Sequence, residues 1–573
     1  MGTIKRLSDL MANDRKKFII IFLLTGVSTA LSLAPPLVVR HTIDNLAGIQ
    51  NLLAPLLIIL ALGTVRAFVS YNIGKLTAKA SENIAKKLRD RLFNHLQRLP
   101  FGYHIQANTG DLIQRCTSDL DNIRTFLSRE TLQLSSVIFL ISISTVVMFS
   151  LSPRLTIISF VGTPLIFFSA YIFHKKIKGE FLELDEKEGQ LFATLQENLA
   201  GVRVVRAFGR SKFENDKFEE KNRQFRDLDV KLNKTVAIFK ALSNMVSTAQ
   251  IFLILIVGVI FVLNGDISLG TLLVFLTYTG MLVFPIRTIA KVLADLGRID
   301  VSLNRLDEIF NTEPEDDEAG IKPESLKGDI VFDTVSFSYE ETGKVLDEIS
   351  FHIKSGETVG FLGGTGSGKS TIMHMLLRLY DYQSGTISIG GTEVKGISKK
   401  YLRSKIGMVL QEPFLYSKSI NDNLKMAKEN VRDEDIVKAT KTANVHHVIE
   451  NFEDKYETVV GEKGVTLSGG QRQRVAIART IIKNSDILIF DDSLSAVDTK
   501  TDAHIREALK ERAEGITTII IAQRLTTLKE ADRIFVIENG KISDSGTHEE
   551  LIAREGFYKR IWEIQILGGV LNE

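Results

Sequence analysis

Polar and apolar positions split this chain into two unlike halves. The first half is built of long uncharged windows. They cover 18–39 (22 residues), 131–153 (23), 155–174 (20), 241–265 (25) and 267–286 (20). A sixth, 52–72, is interrupted only by Arg66. A helix rises about 1.5 Å per residue, so about 20 residues cross a 30 Å hydrocarbon core. Globular helices average about 12 residues, so the pattern predicts six transmembrane helices. The first window is too long for a cleavable signal and contains Pro35 and Pro36, so it reads as a permanent span.

Loop charge orients the spans. Nine Lys/Arg lie in 73–126 and fourteen in 173–234, while 42–50 and 263–268 hold none. The N-terminus, with Lys5, Arg6, Arg15, Lys16 and Lys17, and both long loops are therefore expected on the cytoplasmic side. Each long loop lacks helix breakers and should run out and back as two helices. The tips, 100–112 and 197–210, carry apolar residues such as Phe101, Tyr103, Val204, Val205 and Phe208, which suits contact with another domain.

The second half changes character. An acidic stretch, 311–323, with Glu313, Glu315, Asp316, Asp317 and Glu318 together with Pro314 and Pro323, reads as a solvated linker. β-rich runs then alternate with helical stretches. The run Gly363–Ser370, ending in Gly368-Lys369-Ser370, has the form of a phosphate-binding loop, so the predicted organisation is a transmembrane domain over 1–310, a linker over 311–327 and an ATP-binding domain over 328–573. The fold class is an all-α six-helix transmembrane domain followed by an α/β P-loop ATPase domain.

Gly363-Gly364-Thr365-Gly366-Ser367-Gly368-Lys369-Ser370 has the spacing of a phosphate-binding loop. It follows an apolar strand and opens an apolar helix at Thr371. Glycines let backbone N–H groups approach phosphate, Lys369 neutralises the β/γ oxygens and Ser370 binds Mg²⁺. Downstream, 487–491 is an apolar strand ending in Asp491, a carboxylate suited to the same Mg²⁺. Composition adds exclusions. A single cysteine, Cys116, precludes intrachain disulfides, and a net charge of +2 gives no reason to expect nucleic acid.

Between the two phosphate-site motifs lies Leu467-Ser468-Gly469-Gly470-Gln471. With six spans followed by one such domain, the chain resembles an exporter-type half-transporter of the ABC transporter family. The resemblance implies that Tyr339 stacks on adenine and that Gln411 reaches Mg²⁺ and the membrane domain. It also implies that Asp498 lies in the D-loop, that Gly461-Glu462-Lys463-Gly464 is the exporter segment, and that the two loop tips are coupling helices. ATP would sit between the phosphate loop of one chain and the Leu467–Gln471 signature of another. Two positions depart from the family pattern. Asp492 stands where a catalytic Glu follows the Walker B aspartate, and Gln523 stands where a switch His follows the next strand. Asp is about 1.5 Å shorter than Glu, and Gln cannot carry a proton charge.

The resemblance then implies a heterodimer. This chain would carry a degenerate ATP site, while its intact signature completes the site of a second half-transporter that has both the Glu and the His. Its expected ligands are ATP and Mg²⁺, membrane lipid, and a hydrophobic or amphipathic small-molecule substrate. Its expected location is the plasma membrane, multi-pass, with the N-terminus and ATPase domain in the cytoplasm. The alternative is a homodimeric lipid flippase or peptide exporter with slow turnover.

Overall fold

The computed structural model describes residues 2–45, 52–339, 342–493, 499–512 and 515–570. The chain forms two compact units. One comprises Met1–Gln97 with Asn108–Glu313, the other Arg98–Ala107 with Pro314–Glu573.

The first unit is helical. Its helices include Arg15–Asp44, Leu53–Leu96, Thr131–Leu151, Pro153–Ser159, Thr163–Ala200, Ser211–Leu263 and Leu269–Asn311. Leu53–Leu96 has 44 residues and Ser211–Leu263 has 53, so each runs well past the apolar window it contains. Large apolar side chains lie bare along Leu53–Leu96, among them Leu53, Leu56, Leu60 and Phe68, each at least 63% exposed. Such a continuous apolar surface is stable only against lipid or another apolar partner.

Among the described residues, four helical stretches, Ala12–Asp44, Leu53–Leu96, Thr109–Leu151 and Ser211–Leu263, are long and apolar enough to cross a membrane. They cover four of the six expected windows, missing at most two residues of any one. The other two differ from expectation. Window 155–174 is broken between Pro153–Ser159 and Thr163–Ala200. Window 267–286 falls at the start of Leu269–Asn311, where the described apolar stretch is Leu269–Leu282. At the break, the Gln250 side-chain amide donates to the Ser159 carbonyl, supplying a partner where the helix ends. A Cβ at Gly162 would lie 2.6 Å from Gln250 Oε1, so glycine admits that approach. Tyr278, fully buried, donates its hydroxyl to the Leu33 carbonyl at 2.6 Å. Thr277, by contrast, bonds the Leu273 carbonyl of its own helix.

The second unit has two sheets. The antiparallel sheet has the order β2-β1-β4-β5, from β1 (Ile330–Tyr339), β2 (Thr342–Ile353), β4 (Ser384–Ile389) and β5 (Thr392–Glu393). The larger sheet, of order β10-β9-β3-β8-β7-β6, contains β3 (Thr358–Gly363), β6 (Ile406–Val409), β7 (Ile487–Asp491), β8 (Thr517–Ile521), β9 (Arg533–Glu538) and β10 (Lys541–Gly546). Its strands pair in parallel except β9 with β10. Both faces are covered, which is why β7 reads as an unbroken apolar run. Ile487, Ile489, Ile519 and Ile521 enter one core with the antiparallel sheet, while Leu488, Phe490 and Ile520 enter a second. The second core is roofed by helices that include Asp433–Thr442 and Gly469–Ile482.

The acidic stretch corrects an expectation: it is not a solvated linker throughout. Glu315 is half-buried with its side chain covered, pairing with Lys399 at 2.9 Å and Arg403 at 2.8 Å, and Asp317 lies 3.3 Å from Arg403. Runs of acid look solvated when their basic partners are some 85 residues away in sequence. Burial alone would raise the Glu315 carboxyl, but the Arg403 and Lys399 bonds outweigh it and hold it below the ordinary carboxylate range. A lowered folded-state pKa means stability that is present above the unfolded pKa and lost as pH falls through the folded one. We expect Glu315→Gln to lower unfolding stability by about 1–3 kcal/mol at neutral pH. It should also flatten the loss of stability below about pH 4. Thermal unfolding of the detergent-solubilised protein across that range checks both.

Candidate nucleotide-binding site

Register aligns the carboxyl ends of the parallel strands. Asp491 pairs with Ile521 and Phe361 with Ile521, so the loops after β3, β7 and β8 emerge on one edge. In open parallel sheets that edge is where ligands bind.

The loop after β3 turns into helix Lys369–Leu376 through Gly368, at φ +101°, a left-handed conformation that favours glycine. Thr365 and Gly366 are exposed, while Ser367 and Lys369 are buried. Lys369 Nζ donates to the carbonyls of Gly363 at 2.8 Å and Gly364 at 2.7 Å, and contacts Ser367 Oγ at 3.3 Å. Its ammonium thus lies within the loop. Burial lowers its pKa, opposed by the charges of Asp491 and Asp492.

Ser370 Oγ donates to Asp491 Oδ1 at 3.1 Å, joining the loop helix to β7. Burial pushes the Asp491 carboxyl up, against the Ser370 bond and the charges of His374 and Lys369. A hydroxyl and a buried carboxylate side by side are hard oxygen donors, a set that fits Mg²⁺, and a cation would relieve the desolvation of Asp491. Gln411, the third expected ligand, is exposed on the loop after β6, the strand next to β7.

Tyr339 ends β1, and its hydroxyl lies 3.2 Å from Thr371 Oγ1. Its ring meets Tyr380 edge-on, at 5.1 Å between centroids, and Phe337 at 4.8 Å. Tyr380 in turn packs edge-on against Phe101 at 5.7 Å. The sequence motifs gave no signal for Tyr380, because it lies outside every one of them. We expect Tyr339→Ala to weaken ATP binding by about 1–3 kcal/mol, the range for base–aromatic stacking. Isothermal titration with a non-hydrolysable analogue checks this, and an unchanged affinity would remove Tyr339 from the site.

The signature stands at another helix start. Ser468 caps helix Gly469–Ile482, its Oγ accepting from the Gln471 amide at 3.3 Å, while Gln471 Oε1 accepts from the Ser468 amide at 2.9 Å. This reciprocal cap satisfies end groups that no helical turn can reach. Leu467 is buried, Ser468 and Gly469 are exposed, and Gly470 is half-buried.

Asp492 follows β7 at φ +44°, uncommon for a residue with a Cβ, and its amide donates to the Ile521 carbonyl at 2.8 Å. Gln523 is exposed in the loop after β8. The structure therefore brings Gly363–Thr371, Asp491, Asp492 and the loop of Gln523 to one edge. Asp498 lies outside the described residues.

Comparison with known proteins gives this site its setting. Residues 18–286 match the ABC transporter transmembrane region and 346–495 match the ABC transporter family. The uncharacterized ABC transporter ATP-binding protein YknU of Bacillus subtilis is 34% identical, with 99% of this chain and 98% of that protein covered. YgaD of the same organism, provisionally named a multidrug export ATP-binding/permease protein, is 32% identical over 99% of this chain and 100% of its own. The ATP-dependent lipid A-core flippase of Syntrophus aciditrophicus is 30% identical over 99% and 95%. A solved bacterial Atm1-family ABC exporter with ATP bound superposes with a TM-score of 0.82, at 24% identity, over 96% of this chain and 98% of that one. That fold and those full-length likenesses place this chain in the ABC transporter family, a helical membrane unit joined to an ATPase unit.

Proposed function

We propose that this chain is one subunit of a heterodimeric ATP-driven exporter that moves amphipathic drugs or lipids out of the cytoplasm or inner leaflet. One observation carries the reading. Asp492 and Gln523 replace the hydrolytic pair beside an intact Ser370–Asp491 pair. The names of the YgaD and lipid A-core flippase relatives support the substrate class. Six spans, with the N-terminus and ATPase unit cytoplasmic, complete the layout over 1–310, 311–327 and 328–573.

In this reading, backbone N–H groups of Gly364–Ser370 and the Lys369 ammonium hold the β/γ-phosphates, and Tyr339 holds the adenine. Ser370, Asp491 and Gln411 would hold Mg²⁺, which would supply neutralising charge to the phosphates. Asp492 stops about 1.5 Å short of the place a Glu carboxylate would reach. Gln523 offers a neutral amide where an imidazolium would stabilise charge on the γ-phosphate. This site therefore binds ATP and hydrolyses it slowly. The start of helix Gly469–Ile482 meets ATP held by the partner, whose own Glu and His carry out turnover. Two bound ATP molecules favour the closed pair, and hydrolysis at the complete site reopens it.

The test is the mass of whatever co-purifies with the natively expressed chain. We expect a second half-transporter with Glu after its Walker B aspartate and His after the following strand. A single species with full ATPase activity would overturn the reading in favour of the homodimeric flippase or peptide exporter.

A further inference from the structure

The loop after β8 is gripped from outside the nucleotide motifs. Helix Leu525–Leu528 begins after Arg524, whose side chain makes no cap. The Leu525 amide instead donates to Gln565 Oε1 at 3.0 Å, and Gln565 Nε2 donates to the Gln523 carbonyl at 2.9 Å. One carboxamide thus pairs with backbone on both sides of Arg524. Gln565 belongs to helix Phe557–Val570, and that helix is anchored. Tyr558 is 1% exposed within the second core, and Phe557, Ile561 and Trp562 pack against the same core. His548 Nδ1 lies 2.6 Å from the Tyr558 hydroxyl, and its ring meets Trp562 at 4.7 Å. On the other side of the loop, Leu525 is fully buried and the Ile521 carbonyl is held by the Asp492 amide. Residues 523 and 524 are the exposed span between these fixed points.

We propose that Gln565 is a positioning residue for the nucleotide site. Its carboxamide fixes the backbone of 523–525 so that the side chain at 523 faces the γ-phosphate. Retention of ATP, as distinct from ADP, then depends on the C-terminal helix. This rests on the reading above that residue 523 holds the γ-phosphate-facing position. A helix that reaches the site through a side-chain amide gives the molecule a point at which the end of the chain tunes how long its own ATP is held.

The experiment measures ATP and ADP affinity of the full-length chain in nanodiscs for wild type, Gln565→Ala, Gln565→Met and Gln523→Ala, with hydrogen exchange at the Leu525 amide. Losing two backbone-directed hydrogen bonds should weaken ATP binding about five- to tenfold and leave ADP within twofold. Leu525 exchange should accelerate in both Gln565 variants. Gln565→Met keeps the apolar stem and loses the amide, so it should match Gln565→Ala. If Gln565→Met behaves as wild type, or if ATP and ADP weaken equally, the residue is only packing and the proposal fails. If Gln523→Ala weakens ATP but neither Gln565 variant does, the grip is refuted while the site reading stands. If none of the three affects ATP, residue 523 does not face the γ-phosphate and both readings fall.

Discussion

Gly469→Glu in the assembled transporter should reduce steady-state ATPase and drug transport by about 10²–10³-fold, the loss seen when one preorganised transition-state donor is removed. Asp492→Asn in the same complex should change turnover less than about threefold. The contrast follows from where each residue stands. Gly469 opens the helix capped by Ser468, and a Cβ built there meets nothing within 4 Å. A glutamate is therefore sterically tolerated by this chain itself, and its ATP affinity and unfolding temperature should remain near wild type. The damage arises only where another molecule must close on that helix start, through a blocked approach and a negative charge set against phosphate. In the proposed heterodimer Asp492 would serve this chain's own slow site, so neutralising it should remove little. If Asp492→Asn abolishes turnover while Gly469→Glu leaves it intact, the working site is in this chain and the heterodimer is wrong.

The isolated chain should hydrolyse ATP at least about 10²-fold more slowly than the complex, since a displacement of about 1 Å at a positioning group costs that much. Restoring the family pair by Asp492→Glu with Gln523→His should recover a large part of that rate once two such chains associate. The backbone is not an obstacle in principle, because Asp492 already sits at φ +44° and is held there by the Ile521 carbonyl. Each single change should recover less than the product of both, because base and phosphate contact act in one step. Steady-state ATPase in nanodiscs checks this. A wild-type chain as fast alone as in complex would show that Asp492 and Gln523 form a competent pair.

What the sequence made legible was whatever is encoded locally. The glycine-rich loop and the apolar strand ending in Asp491 depend on neighbours within a few residues, and the loop follows its strand and opens its helix as their spacing indicates. Contacts across long sequence separations were not legible. Glu315 looked solvated because Lys399 and Arg403 lie far along the chain. Gln565 carries no motif, since a grip on backbone leaves no pattern in the residues gripped. Window 155–174 was uncharged throughout, yet its helix breaks beside Gly162, ahead of Pro164 at the start of the next helix. Hydropathy counts charges and is blind to whether a backbone carbonyl finds a partner such as Gln250.

Helix Ser211–Leu263 runs 53 residues in one piece. At 1.5 Å per residue that is a rod of about 80 Å. A tilt of about 5° about one end then sweeps the other by about 7 Å, more than the 5.4 Å pitch of the helix itself. Such a lever trades angle for distance. A rearrangement small enough to leave the packing around Tyr278 undisturbed at one level becomes, at the far tip, a displacement as large as a side chain.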